Sequence, residues 1–224
     1  MATSAPMTKI KRPKPVSELV LERLRDDIIR NRFELGEKIS EASLSEAYGV
    51  TKAPIRAAYI RLEMEGLITI RAQAGTFVFQ PTLEELRALC ELRTALETEA
   101  LRLGFQRDRD GLTRSATEIV AEMEEALADD DLERYQSLDN RLHTGLFDFA
   151  QSPLLAETYK ARVAGPFAAL RTRFGAKRVH NENSIMEHRA ILNALQAGDE
   201  DQVLNLMRDH INIAEAYYTG VMTG

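Results

Sequence analysis

The chain has 224 residues, one cysteine and a formal net charge of −6, a length that suits one large domain or two modest ones. A single cysteine excludes an intrachain disulfide and fits a reducing cytosol. No apolar run approaches the roughly 20 residues that a membrane-spanning helix needs, so a cytoplasmic protein is expected, and Met1–Pro15 lacks the apolar core of a signal peptide.

Charge is unevenly placed. Residues 1–80 carry a balance of +3 and residues 81–224 a balance of −9. A basic head on an acidic body points to a polyanion that only the head meets.

In chain order, residues 1–15 hold three prolines and Lys9, Lys11, Arg12 and Lys14, and read as a flexible basic arm. Val16–Arg32 is predicted helical, with Leu19, Val20, Leu24, Ile28 and Ile29 as its buried stripe. Phe33–Glu37 reads as a turn. Glu41–Tyr48 is a short helix stopped by Gly49. Val50–Gly66 is a second helix. Thr51 is placed to cap it through its hydroxyl, and Pro54 is tolerated near its start. Ile55, Ala58 or Tyr59, and Leu62 give this helix an apolar face, while Lys52, Arg56 and Arg61 project elsewhere. Two helices joined by a tight glycine turn form a helix-turn-helix. Ile68–Ile70 and Thr76–Phe79 flank Arg71–Gly75 and predict a β-hairpin. A cation-bearing helix start beside a hairpin tip suits a phosphate-lined groove.

Pro81-Thr82 reads as a linker, with Thr82 capping the next helix. Beyond it no strand is predicted. Helical patterns run at roughly 83–107, 112–128, 131–150, 153–174, 180–197 and 199–218, enough for a bundle with its own core. Cys90 falls inside an apolar helical pattern and reads as a structural thiol. The histidines carry the bundle's chemistry. Asp139 and His143 are one turn apart on a face with Leu138, Leu142 and Leu146. His188 falls among Ile185, Ile191 and Leu195, and His210 among Val203, Met207 and Tyr217. One inward histidine is ordinarily a hydrogen-bonded core residue. Three on separate helices, with an acid beside one, suit Zn, Ni, Mn or Fe and leave room for a ligand. Arg93, four residues before Glu97, is either an ion-pair partner or a cation that grips an effector carboxylate.

Residues 16–79 resemble the DNA-binding head of the GntR family of bacterial transcription regulators. The resemblance rests on Ile39, Glu41, Leu44, Gly49-Val50-Thr51-Lys52, Pro54-Ile55-Arg56, Ala58, Leu62, Gly66-Leu67 and Gly75-Thr76-Phe77-Val78. It implies a winged helix-turn-helix whose DNA contacts involve Thr51, Lys52, Arg56, Gly75 and Thr76. The family usually has Arg at Lys52 and a basic or polar residue at Ala74, so this chain's base preference is expected to differ. The bundle is similar to the FCD effector domain of the FadR subfamily. It carries Asp139-x-x-x-His143, Glu187-His188, and His210 in the last helix; six helices rather than seven suggest the VanR-like branch. By that resemblance Asp139, His143, His188 and His210 are metal ligands, with Zn the first candidate, whereas His180 fits no ligand position and is expected to face solvent.

The expected fold is mainly α: a winged helix-turn-helix with a small hairpin wing over residues 16–80, then an all-α six-helix bundle over residues 81–224. The expected function is a metabolite-responsive, non-enzymatic regulator. The resemblance implies a homodimeric repressor on a near-palindromic operator, controlled by a small carboxylate or sugar acid. The competing readings are a DNA-binding dimer with a metal-free structural bundle, and a metal-dependent hydrolase.

Overall fold

The computed structural model describes residues 14–175 and 177–223. Most of the basic-arm reading therefore lies outside the described residues. Helix α1 spans Val16–Ile29, and strand β1 is the two-residue Lys38–Ile39. Helices α2 (Glu41–Tyr48) and α3 (Lys52–Met64) follow, then strands β2 (Ile68–Arg71) and β3 (Gly75–Val78). The three strands make one antiparallel sheet in the order β1-β3-β2. Strand β1 was not expected, because two residues carry no alternation from which a strand can be read.

Val20, Leu24, Ile28, Ile55, Leu62 and Leu67 make the core of the head. Leu19, expected in that core, is 50 % exposed, and Leu21 is buried instead. Val20, Leu24 and Ile28 are buried as expected, Leu21 joins them in place of Leu19, and Ile29 is only half-buried. Thr51 occupies the cap position of α3, but its hydroxyl makes no cap hydrogen bond. Ser40 does cap α2, accepting from the Ser43 N–H at 3.0 Å.

The bundle opens with α4 (Leu83–Ala128), held at its start by a reciprocal cap. The Glu85 N–H donates to the Thr82 hydroxyl at 3.2 Å, and the Thr82 N–H donates to the Glu85 carboxylate at 2.8 Å. The break predicted near Asp110-Gly111 is a kink: Asp108 leaves helical geometry, and its carboxylate accepts the Gly111 N–H at 2.9 Å. Then come α5 (Leu132–Ala150), α6 (Pro153–Tyr159), a π-helical turn (Lys160–Ala164), α7 (Gly165–Phe174), α8 (Arg178–Ala197) and α9 (Glu200–Thr223). With α4 divided at its kink and α6 to α7 taken as one rod, these are the six predicted helices. The π turn precedes Pro166, whose ring has no N–H to continue the ordinary helical ladder.

Helix α7 belongs to both cores. Phe167 and Leu170 lie in the bundle core, whereas Ala169 lies in the core of the head. The head packs tightly against Gly165, where a Cβ would stand 3.0 Å from Leu67. Arg173 pairs with Glu34 and donates to the Phe33 carbonyl at 2.7 Å.

Removing the α4 cap isolates one local contribution. Thr82→Ala is expected to destabilise the protein by about 1 kcal/mol, read as a lower urea midpoint with an unchanged denaturant slope. An unchanged midpoint would show that the cap contributes nothing.

Candidate metal and effector site

Helix α5 buries Tyr135, Gln136, Leu138, Asp139, Leu142, His143, Leu146 and Phe147. These positions follow the helical repeat, so Asp139 and His143 point inward one turn apart. Helix α8 brings His188 in beside Ser184, Ile191 and Leu195, and α9 brings His210 in beside Met207 and Ala214. His143, His188 and His210 each offer a ring nitrogen, and these three atoms lie within 4.8 Å of one another. Asp139 completes the group: its Oδ1 is 3.8 Å from His143 Nε2 and 3.5 Å from His188 Nε2. The four residues are at most 5 % exposed.

Surrounding carboxylates orient two of the rings. His143 Nδ1 is 2.8 Å from Glu97, and His210 Nδ1 is 2.6 Å from Glu187. A neutral imidazole that donates Nδ1–H to a carboxylate presents its Nε2 lone pair on the other side, as metal-ligating histidines do. His188 is different: both of its ring nitrogens are buried and have no hydrogen-bond partner. Such orphaned groups are rare and call for a ligand. His143, His188 and His210, with Asp139 beside them, are the residues that would hold a divalent cation here.

Electrostatics favours the ligating form. Burial pushes His188 and His210 down to about 3, and His143 well below its ordinary value. Burial alone would raise the Asp139 carboxyl, but the adjoining Arg171 guanidinium holds it well below the usual carboxylate range. The site thus presents neutral imidazoles and an ionised carboxylate.

Arg93 is 1 % exposed. Its Nε donates to Glu97 at 2.8 Å, and its Nη2 lies 3.0 Å from both ring nitrogens of His143. Its guanidinium carbon stands 4.5 Å from the centre of the Phe167 ring. The ion pair with Glu97 is therefore present, and Arg93 also borders a cavity of about 20 Å³ with Asp139, Arg171, Glu187 and His210. That volume holds about one water molecule. His180 does not face solvent as expected. It is half-buried against the same cavity and stacks on Tyr217, with ring centres 3.7 Å apart. Arg171 escaped the sequence reading altogether. An arginine directly after the apolar run Phe167-Ala168-Ala169-Leu170 is the signal that marks it. Tyr159, whose hydroxyl donates to Glu97 at 2.7 Å, escaped too.

The residues expected on DNA lie in the head. Lys52 is the exposed first residue of α3. Arg56 is exposed and paired with Glu41 at 2.8 Å. Thr51 precedes α3, and Gly75 opens β3. Thr76 is only 8 % exposed and lies on the buried side of β3 with Val78, not on the outer surface.

Residues 16–78 match the gntR family of bacterial regulatory proteins, and residues 88–213 match the FCD domain. The chain belongs to the GntR family. It is 25 % identical over 204 residues to the HTH-type transcriptional repressor RspR of Escherichia coli (strain K12), covering 91 % of this chain and 89 % of that one. It is 28 % identical over 225 residues to the HTH-type transcriptional repressor NanR of Klebsiella aerogenes, covering 91 % and 85 %. Its fold is similar to the crystal structure of a putative transcriptional regulator GntR from Rhodococcus sp. RHA1, with a TM-score of 0.79 at 23 % identity, covering 91 % and 97 %. A GntR head joined to an FCD domain makes this chain a DNA-binding transcription regulator of the metabolite-responsive kind. Among the described residues no helix is long and apolar enough to cross a membrane.

The buried imidazoles make the metal-free GntR protein acid-sensitive. The unfolded chain takes up protons as pH falls below 6.5, whereas His188 and His210 resist protonation in the folded state down to about 3. Stability is therefore lost progressively on acidification through that window. Calorimetry of chelator-treated protein should show the melting temperature falling as pH drops from 6.5, with a shallower fall in His188→Gln. Equal slopes in the two proteins would mean that His188 is not a source of the effect.

Proposed function

We propose that the bundle binds one divalent transition metal through Asp139, His143, His188 and His210, and that a small carboxylate or sugar acid bound beside it controls the head. The observation that carries this reading is His188, buried with two unpartnered nitrogens at the meeting point of two other imidazoles and a carboxylate. Three nitrogens and one oxygen suit Zn first, with Ni, Mn and Fe as the alternatives. The bound ion would supply Lewis acidity and an open position for an acid's oxygen.

The chain's own residues do the rest. Glu97 and Glu187 hold two imidazoles in the ligating tautomer. Arg93 supplies a forked donor for a carboxylate, at the cost of its contact with His143. A cavity of about 20 Å³ admits no organic acid as it stands, so entry requires these side chains to part. Helix α7 carries Arg171, bound to Asp139, and Arg173, bound to the head, two residues apart. A rearrangement around Asp139 thereby reaches the head through one helix. The effector works as a switch only if it binds the two head arrangements with different affinity. Two protomers pair and present two α3 helices to a near-palindromic operator in the cytoplasm. Release on effector binding makes the protein a repressor.

Elemental analysis of protein purified without tag or chelator should find about one transition-metal ion per chain, and none in His143→Ala/His188→Ala. A protein that carries no metal and cannot be loaded would sink the ligand assignment, leaving a DNA-binding dimer with a structural bundle. A thermal-shift screen of small carboxylates on the metal-loaded protein tests Arg93. Arg93→Ala should lose most of the shift given by the best acid, and a full response in that variant would end its effector role.

A further inference from the structure

The tip of the hairpin, Ala72-Gln73-Ala74, carries no charge. The cations of α1 and those of the sheet nevertheless differ. Those on and just after α1 are neutralised internally. Arg23 and Arg32 both reach Asp27, at 3.2 and 2.6 Å, Arg25 grips Glu65 through two bonds of 2.7 and 2.8 Å, and Arg30 meets Glu133 at 2.6 Å. Lys38 in β1 and Arg71 in β2 are exposed, and neither pairs with a carboxylate among the described residues.

The sheet brings these two together. Phe77 in β3 stands opposite Lys38 on one side and Thr69 on the other. Directly opposed residues share a face, as do residues two apart along a strand, so Lys38, Phe77 and Arg71 project from the same side. The Arg71 guanidinium carbon lies 4.9 Å from the centre of the Phe77 ring, and the Lys38 nitrogen lies 5.9 Å from it. Both distances are within cation–π range. The Lys38 side chain passes over Gly75, where a Cβ would stand 2.7 Å from Lys38 Cε; Gly75 also has φ +119°, which side chains rarely adopt. Three residues after Lys38, Glu41 holds Arg56 of α3 at 2.8 Å. The strand that carries Lys38 thus leads directly into α2, which that pair ties to α3.

We propose that Lys38 and Arg71 bind duplex phosphates, supplying the charge that the hairpin tip lacks, and that β1 is part of the DNA face. This rests on the head's being the DNA-binding module. The interaction is independent of base sequence, because donors aimed at phosphate carry no base readout.

The test is fluorescence anisotropy of the full chain on a random-sequence duplex of about 30 base pairs, titrated across salt concentrations. Removing one phosphate-binding cation lowers the slope of log affinity against log salt by about 0.9. Lys38→Gln and Arg71→Gln should each lower it by about that much for every head that engages the duplex, and Lys38→Arg should restore it. Arg23→Gln, which removes a cation already paired with Asp27, should leave the slope unchanged. Wild-type slopes in Lys38→Gln and Arg71→Gln overturn the proposal. So does an equal fall in Arg23→Gln, which would mean that the slope reports overall charge. No binding by the wild-type chain overturns the DNA-binding reading of the head and this proposal with it.

Discussion

The structure depends on a balance of buried charge at the centre of the bundle. Arg93 and Arg171 are cations, Glu97 and Asp139 are anions, and none is more than 5 % exposed. An isolated ion at such depth costs several kcal/mol even after relaxation, so each must be matched. Arg93 is matched by Glu97, and Arg171 by Asp139. Burial, reinforced by the positive charges around them, keeps the histidines between them neutral. This balance also bears on what the site accepts. A divalent cation would leave it with an excess of positive charge, only partly offset by half-buried Glu187. An anionic ligand restores neutrality, which is the electrostatic reason to look for acids as effectors.

The same constraint ties the helices together. Glu97 comes from α4, Asp139 and His143 from α5, Tyr159 from the end of α6, Arg171 from α7, His188 from α8 and His210 from α9. No two-helix fragment satisfies the network, so the polar centre specifies the whole bundle as well as the site. Helix α7 has a double duty within it. Its inward face holds Arg171 and Phe167, and its other side enters the head's core at Ala169 and meets Leu67 at Gly165. The π turn before α7 sets its rotation relative to α6, and hence which of its residues face each core.

Much of this was legible from the sequence. The period of apolar residues located every long helix of the bundle, and it placed Asp139, His143, His188 and His210 inward on three helices. Periodicity reports which side of a helix is buried but says nothing about partners across the interior. It therefore missed that Glu97 and Glu187 orient imidazoles, that Arg171 secures Asp139, and that His180 stacks on Tyr217 instead of meeting solvent. Strand β1 was missed because it is shorter than any period. Leu19 was misplaced because Leu21 fits the stripe nearly as well, and only the packing of α1 against α3 and α7 decides between them. The π turn left no mark except Pro166, which is compatible with several local solutions.

Charge placement explains how such a protein meets DNA in one orientation. Residues 81–224 carry a formal balance of −9 and repel a polyanion at long range. Within the head, α1 faces the bundle and its cations are consumed by Asp27, Glu65 and Glu133. Arg30 in particular meets Glu133 of the bundle across the head–bundle junction. Lys52 at the start of α3 and the cations flanking Phe77 keep theirs. Pairing thus distinguishes the cations of α1 from Lys52, Lys38 and Arg71, which composition alone does not. A duplex attracted at long range to the head and repelled by the acidic body is oriented before any base is read.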